Sequence, residues 1–295
     1  MKFGDLFSKK LVMVTGKGGI GKTVVSAALG QCAAAQGLKT LIIESSSRDQ
    51  VSPLFGIPEV GHLKTLVQPN LSCINLTQKE TLKEYVTKYL KQEMLYEKIF
   101  TNKMVESFFN VIPGFTEVML LGRLFYTCEL AEGERPDLVI FDASASGHFL
   151  SLMTTPNAVQ HTNLGGPLVK ETLRVRNFLA DSTKCGTVFV GVPEELVVSE
   201  MLEFIPKLIQ ESPCEVSGVI LNRSLNHIKS TDHLSAPVAQ FFDNKIKKAD
   251  LAEKTLRQGV KNMGADLAIW DLPEQGFIEE PIDDNLGNKL FASYL

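Results

Sequence analysis

The sequence predicts an α/β fold, in which a mostly parallel sheet is doubly wound with helices packed on both faces. Residues 11–15 are apolar and β-branched and end at a glycine, as in a fully buried strand. Residues 22–36 are rich in alanine and end before Gly37, as in a helix with a glycine just past its C-terminus. Residues 40–44 repeat the apolar strand pattern. This strand–helix–strand order is a βαβ unit, and the two strands of such a unit are parallel.

The rest of the chain continues this alternation. Later apolar segments are predicted as strands over 71–76, 137–142, 187–192, 217–222 and 266–270. Helices are predicted over 79–110, 115–130 and 194–211.

Two regions lack a clear helix or strand pattern. Residues 45–70 hold several prolines and glycines and are predicted to be mostly loop, and the polar region 227–250 is expected to be a mobile surface segment. We predict one domain over 1–295, with a helical subdomain built from about 78–131 and 150–182.

Composition and charge narrow the classes of function. The 295 residues are 44% hydrophobic and 22% charged, with a net charge of −4, which is ordinary for a soluble globular protein. No run of lysine or arginine indicates nucleic-acid binding. The five cysteines are scattered and never spaced C-x-x-C, which argues against a local zinc pair and fits reduced cytosolic thiols. Neither a secretory signal nor a run of ~20 apolar residues occurs, so a cytoplasmic location is expected, with peripheral attachment to a membrane left open.

A glycine-rich loop joins the first predicted strand to the first predicted helix. Residues 16–23 read Gly-Lys-Gly-Gly-Ile-Gly-Lys-Thr and satisfy G-x-x-x-x-G-K-[ST] in the strand-to-helix context that this motif requires. Backbone N–H groups of such a loop surround phosphate oxygens, and the start of the helix adds a favourable partial charge. Lys22 is expected to reach the β- and γ-phosphates, and Thr23 to ligate Mg²⁺. The sequence therefore predicts a P-loop NTPase that binds ATP and Mg²⁺ through Gly16, Gly18, Gly19, Ile20, Gly21, Lys22 and Thr23.

Lys17 directly follows the first glycine and gives the deviant pattern G-K-G-G-x-G-K-T. This pattern resembles that of the P-loop ATPases that include nitrogenase iron protein, MinD-type cell-division ATPases and arsenite-pump ATPases. In those relatives the early lysine typically crosses a dimer interface to the partner's nucleotide, so the resemblance makes Lys17 a candidate for that catalytic role. A second positive charge at the phosphates stabilises charge during transfer. The alternative is a solvated lysine on the loop.

Later segments resemble the arsenite-pump ATPases and their eukaryotic relatives that target tail-anchored membrane proteins. Residues 142–148, Asp-Ala-Ser-Ala-Ser-Gly-His, are similar to the D-x-A-P-T-G-H switch of that family, and further family-like segments occur at 113–118, 193–195, 221–223 and 270–273. The resemblance implies that Asp142 is an indirect partner of Mg²⁺ and that the Gly147 N–H binds the γ-phosphate. His148 is either functional or an ordinary loop histidine. The resemblance also implies that Asn222 binds adenine and that Pro273 packs on the base.

The chain departs from the family after the second predicted strand. Family members carry there an aspartate that positions the attacking water, and alignment through Phe55-Gly56 places that position at Ser46. Serine is a poor general base at neutral pH. Either Glu44 or Asp49 replaces the aspartate through a changed loop path, or ATP hydrolysis is slow or absent, and we favour impaired hydrolysis. Lys17, Lys22 and Ser46 are thus the residues expected to govern catalysis.

The resemblance implies a dimer that ATP closes across Lys17, formed with an identical chain or with a paralogue that supplies the missing aspartate. A membrane-protein partner or client is also implied. The chain lacks the C-x-x-C that joins subunits through zinc in the eukaryotic targeting factors, and the clustered metalloid-binding cysteines of the arsenite ATPases are not recognisable. Two alternatives stay open: a regulatory subunit that binds ATP with little or no hydrolysis, and a carrier of hydrophobic membrane-protein segments. The carrier hypothesis depends on apolar residues that we interpret first as core or dimer contacts, namely Met94, Met104, Phe108, Phe109, Phe115, Met119 and Phe125.

Overall fold

The computed structural model describes residues 2–77, 80, 81, 84, 114–131, 133–160, 167–228, 235–264, 267–276 and 281–294. Among these residues, an eight-stranded sheet has the order β3-β4-β2-β5-β1-β6-β7-β8, and every neighbouring pair is parallel except β3 with β4. The strands are β1 Leu11–Gly16, β2 Thr40–Glu44, β3 Thr65–Gln68, β4 Leu71–Asn75, β5 Leu138–Ala145, β6 Cys185–Gly191, β7 Val216–Ser224 and β8 Ala268–Pro273. The predicted α/β fold with a mostly parallel sheet is confirmed.

Residues 45–70 are mostly loop, as predicted, but they also contain the short helix Val51–Leu54 and strand β3. This strand pairs antiparallel with β4 through the two-residue connection Pro69-Asn70. Asn70 has a φ of 61°, the left-handed conformation that tight hairpins require and that asparagine tolerates. None of the β3 residues is fully buried, so the strand has no strong apolar pattern that would have revealed it.

The described α-helices connect successive strands along the chain, except for the last, which follows β8. They are α1 Lys22–Ala35, α2 Val51–Leu54, α3 Phe115–Phe125, α4 Ser146–Gln160, α5 Pro167–Ala180, α6 Glu195–Glu211, α7 Ala236–Asn262 and α8 Leu286–Phe291. A 3₁₀-helix, Phe3–Ser8, precedes β1, and a π-helix, Tyr126–Leu130, continues α3. The predicted helices over 22–36, 115–130 and 194–211 are confirmed within a residue or two. Most of the predicted helix over 79–110 lies outside the described residues, so the helical subdomain stays a prediction.

Helix α7 covers most of 227–250, and the part of it within this region lies largely at the surface, as expected, but is helical. It begins at Ala236, with a proline in its first turn, where the missing N–H costs no helical hydrogen bond. The residues that it buries are Ala249, Ala252, Leu256 and Val260, all in its second half. A long helix with so narrow a buried stripe is polar in sequence, so its apolar periodicity gave no helix prediction here.

The central strand β1 lies between β5 and β6, and all of its residues are buried. Because the neighbouring strands are parallel, the carboxyl ends of β2, β5, β1, β6, β7 and β8 meet at one edge of the sheet. Helix α8 packs closely on α1, since a Cβ on Gly287 would collide with the carbonyl oxygen of Ala28. None of the described helices is long and apolar enough to cross a bilayer.

Candidate functional site

The loop between β1 and α1 follows a path that glycine tolerates best. Gly16, Gly19 and Gly21 have φ values of 147°, 81° and 87°. A Cβ on Gly16 would collide with the carbonyl oxygen of Val190 in β6. At Gly18 and Gly19, an added Cβ would meet no atom within 4 Å, so the middle of the loop borders open space. Helix α1 follows at once, and its unpaired N–H groups adjoin this space, as an anion-binding site requires.

Lys22 spans this loop from the first turn of α1. Its Nζ donates a hydrogen bond to the carbonyl oxygen of Lys17 over 2.9 Å. Burial lowers the pKa of Lys22, and the negative charge of Asp142 acts in the opposite direction. A partly buried ammonium group beside open space and unpaired N–H groups fits a phosphate-bearing ligand.

Asp142, near the carboxyl end of β5, accepts hydrogen bonds from two hydroxyl groups of α1. Thr23 Oγ1 lies 2.8 Å from Asp142 Oδ2, and Ser26 Oγ lies 2.9 Å from Oδ1. Burial raises the pKa of Asp142, whereas the two hydrogen bonds and the charge of Lys22 lower it. Hydroxyl, carboxylate and water oxygens are the ligands that Mg²⁺ prefers, so Thr23 and Asp142 fit the predicted metal.

Ser26 is a site residue that sequence reasoning missed. It is fully buried, and both oxygens of Asp142 are engaged only because Ser26 lies one helical turn after Thr23. The available signal was a second hydroxyl at i+3 on the same face of α1.

Lys17 forms an ion pair within its own chain. Its Nζ lies 2.6 Å from Oε1 of Glu200 in α6, and the two side chains are 42% and 55% exposed. Both residues border a cavity of about 230 Å³ that Gly147 also lines. The predicted γ-phosphate ligand Gly147 and the neighbouring His148 are exposed at the start of α4. The structure thus brings Lys17 and Gly147 together and adds Glu200, which the sequence did not indicate.

The segment after β2 holds Ser46 in hydrogen bonds to its own chain. Ser46 Oγ lies 3.0 Å from Oε2 of Glu44 and 2.5 Å from the carbonyl oxygen of Arg48. The Ser46 N–H donates to Oδ1 of Asn75 over 3.2 Å, and Asn75 Nδ2 donates to the Ser46 carbonyl over 3.1 Å. Ser46 is therefore tied to the end of β4, and its hydroxyl group is already engaged.

Glu44 and Asp49, the candidate replacements for the family's aspartate, are both buried and bonded locally. Glu44 accepts hydrogen bonds from the N–H groups at the start of α2, and Asp49 accepts from Ser52. Burial and a hydrogen bond with Asp49 raise the pKa of Glu44 to about 8. Although burial opposes it, hydrogen bonds from Glu44 and Ser52 lower the pKa of Asp49 to about 2. Because both groups are buried and committed to hydrogen bonds at the start of α2, neither is placed to replace the family's aspartate.

Asn222 and Pro273 lie on the neighbouring strands β7 and β8 at the same edge of the sheet. Asn222 Nδ2 donates to the carbonyl oxygen of Ile20 over 2.9 Å, which ties the predicted adenine contact to the phosphate loop. Next to Pro273, the Asp271 carboxylate forms an ion pair with Arg257 of α7. Sequence reasoning missed Arg257, because a contact between a helix and a distant strand end leaves no local pattern.

The two described side chains of the apolar set behind the carrier hypothesis, and the five cysteines, lie in the core. Met119 is buried, and the ring of Phe125 packs against that of Phe178 with centroids 5.3 Å apart, which supports the core interpretation for these two. The side chain of Phe115 is not described, and Met94, Met104, Phe108 and Phe109 lie outside the described residues. All five cysteines are buried and free, which makes them poor nucleophiles.

Comparisons with known proteins bear on the same residues. Residues 9–164 match the family described as anion-transporting ATPases. ATPase BagA of Mycobacterium tuberculosis is 28% identical over 271 residues, which cover 88% of this chain and 77% of the relative. A Halobacterium salinarum protein named as an arsenical pump-driving ATPase is 27% identical over 230 residues, covering 72% of this chain and 35% of the relative. ATPase ASNA1 homolog 2 of Paramecium tetraurelia is 28% identical over 155 residues, which cover 52% of this chain and 46% of the relative.

Proposed function

The chain belongs to the anion-transporting ATPase family, and from that premise we propose that it is a nucleotide-switched ATPase whose two subunits close on ATP. The observation that carries the proposal is the group of side chains around Asp142 at the phosphate loop. Thr23 and Ser26 donate hydrogen bonds to Asp142 over 2.8 and 2.9 Å, and the positive charge of Lys22 interacts with the same carboxylate. A loop, a lysine and a hydroxyl–carboxylate pair at one helix N-terminus are the parts that phosphoryl transfer requires.

Each residue of the loop has a distinct part in this proposal. The backbone N–H groups of residues 16–21 bind phosphate oxygens, and Lys22 exchanges its bond to the Lys17 carbonyl for the β- and γ-phosphates. Thr23 and Asp142 would hold Mg²⁺, which neutralises phosphate charge when bound. The Gly147 N–H binds the γ-phosphate, and Asn222 and Pro273 receive the adenine.

Hydrolysis is proposed to be slow in the chain alone. Water must attack the γ-phosphorus while the bond to the bridging oxygen breaks, and a positioned carboxylate normally orients that water. The Ser46 hydroxyl is bonded to its own loop, and Glu44 and Asp49 are committed to the start of α2. Neither carboxylate of this segment is therefore free to orient water.

A second candidate function follows from Ser46: a regulatory subunit that binds ATP to set its shape. Such a subunit pairs either with a second copy of this chain or with a paralogue. Only the paralogue would contribute the missing aspartate. A membrane-protein partner is compatible with either form, since relatives include a protein named as a pump-driving ATPase.

The proposal is tested by the nucleotide dependence of the oligomeric state. Sedimentation velocity is measured without nucleotide, with ADP, and with a non-hydrolysable ATP analogue and Mg²⁺, for the wild type and for Lys17→Ala. We expect the wild type to dimerise only with the ATP analogue, and Lys17→Ala to bind the analogue yet dimerise much more weakly, at protein concentrations well above those that the wild type needs. Absence of ATP binding in the wild type would overturn the proposal.

A further inference from the structure

The ion pair between Lys17 and Glu200 joins two elements that are far apart in the chain. Glu200 lies on α6, which follows β6, whereas Lys17 lies in the loop after β1. Among the described residues, Glu200 is the only recorded side-chain partner of the Lys17 ammonium group. The lysine proposed to act on a partner's nucleotide is thus bonded to a carboxylate of its own subunit.

The pair lies on an accessible face of α6. Leu196, Glu200, Glu203 and Lys207 follow one another at helical spacing along this face, and Leu196 is 75% exposed. The cavity beside the pair is lined by Gly147 as well as by Glu203 and Lys207. Glu200 therefore lines the same open cavity as Lys17 and Gly147, the two residues proposed to meet a nucleotide's phosphates.

We propose that Glu200 is a positioning residue that holds Lys17 in its own subunit until the phosphates of a second copy's ATP replace it. The inference rests on the proposed closing of two subunits across Lys17. Ion pairs as exposed as this one are weak, so a polyphosphate that carries more negative charge can take over the ammonium group. Glu200 thereby sets how much ATP and protein are needed for closure.

The size of the effect follows from the exposure of the pair. Exposed ion pairs change an equilibrium by about 1.4- to 5-fold each, and a symmetric dimer contains two of them. Removing the charge of Glu200 is therefore expected to strengthen ATP-dependent dimerisation by roughly 2- to 25-fold.

The test compares Glu200→Gln with Glu203→Gln as a matched control. Glu203 lines the same cavity one turn further along α6 and does not bond Lys17. Dimer dissociation constants are measured by sedimentation with the non-hydrolysable ATP analogue and Mg²⁺. Glu200→Gln is expected to lower the constant, and Glu203→Gln to leave it within about 1.4-fold of the wild type.

A thermodynamic cycle separates positioning from a general effect of charge. In a Lys17→Ala background, Glu200→Gln should have no effect, because the group that Glu200 holds is gone. Equal constants for Glu200→Gln and the wild type, weaker dimerisation by Glu200→Gln, or an effect that persists without Lys17 would each overturn the inference while the dimer proposal stands. A wild type that stays monomeric in every nucleotide state would overturn both.

Discussion

At the scale of single residues, two carboxyl groups occupy paired positions on neighbouring strands, since Glu44 of β2 is in register with Asp142 of β5. Asp142 receives the hydroxyl groups of Thr23 and Ser26 and so adjoins the phosphate loop. Glu44 instead receives the N–H groups at the start of α2 and the hydroxyl of Ser46. One carboxylate therefore serves the candidate site, and the other fixes the loop that contains Ser46.

The raised pKa of Glu44 predicts a specific dependence of stability on pH. The pKa of Glu44 is about 8 in the folded chain, above its value of roughly 4.3 in an unfolded chain, so the folded state binds more protons between these two values. Stability is therefore expected to fall with a slope of at most about 1.4 kcal/mol per pH unit as pH rises towards 8.

The control for this prediction is Glu44→Gln, whose amide imitates the protonated carboxyl group. Urea unfolding at pH 6, 7 and 8 should give a smaller loss of stability in Glu44→Gln than in the wild type. Identical pH profiles for the two proteins would contradict the raised pKa of Glu44.

At the scale of single elements, α7 predicts a sharp difference between two leucines of one helix. Leu256 is 0% exposed and packs in the core, whereas Leu251 is 68% exposed. Leu256→Ala should lower the free energy of unfolding by about 2–5 kcal/mol, because it leaves a cavity. Leu251→Ala should change it by less than about 0.5 kcal/mol. Urea unfolding measures both, and equal costs would contradict the described packing of α7.

Some helices and strands were predictable from local sequence patterns, and others were not. Strand β1, the glycine loop and α1 were predictable because their apolar periodicity, their turn glycines and the phosphate-loop motif all lie within residues 11–36. Strand β3 was not, because it is half-exposed and gains its order from pairing with β4. The first half of α7 was not either, since it buries no residue and therefore lacks an apolar stripe.

At the scale of the whole molecule, the sheet gathers residues that are far apart in sequence. The order of the strands brings the phosphate loop, Ser46, Asp142, Asn222 and Pro273 to the carboxyl edge, where open α/β sheets bind ligands. This convergence was predictable from the strand ends alone. The ion pairs of Lys17 with Glu200 and of Arg257 with Asp271 were not predictable, because each joins a helix surface to a distant loop or strand end.

We propose that this molecule binds ATP but hydrolyses it slowly, because Ser46 stands where the family carries an aspartate. The most direct test measures ATP binding by calorimetry and ATP turnover with Mg²⁺ for the wild type and Ser46→Asp. Ser47→Asp is the control, because it adds the same charge at the next, exposed position. We expect all three proteins to bind ATP, and ATP turnover to rise roughly 10²-fold in Ser46→Asp alone. Robust turnover by the purified wild-type chain, equal to that of Ser46→Asp, would contradict it.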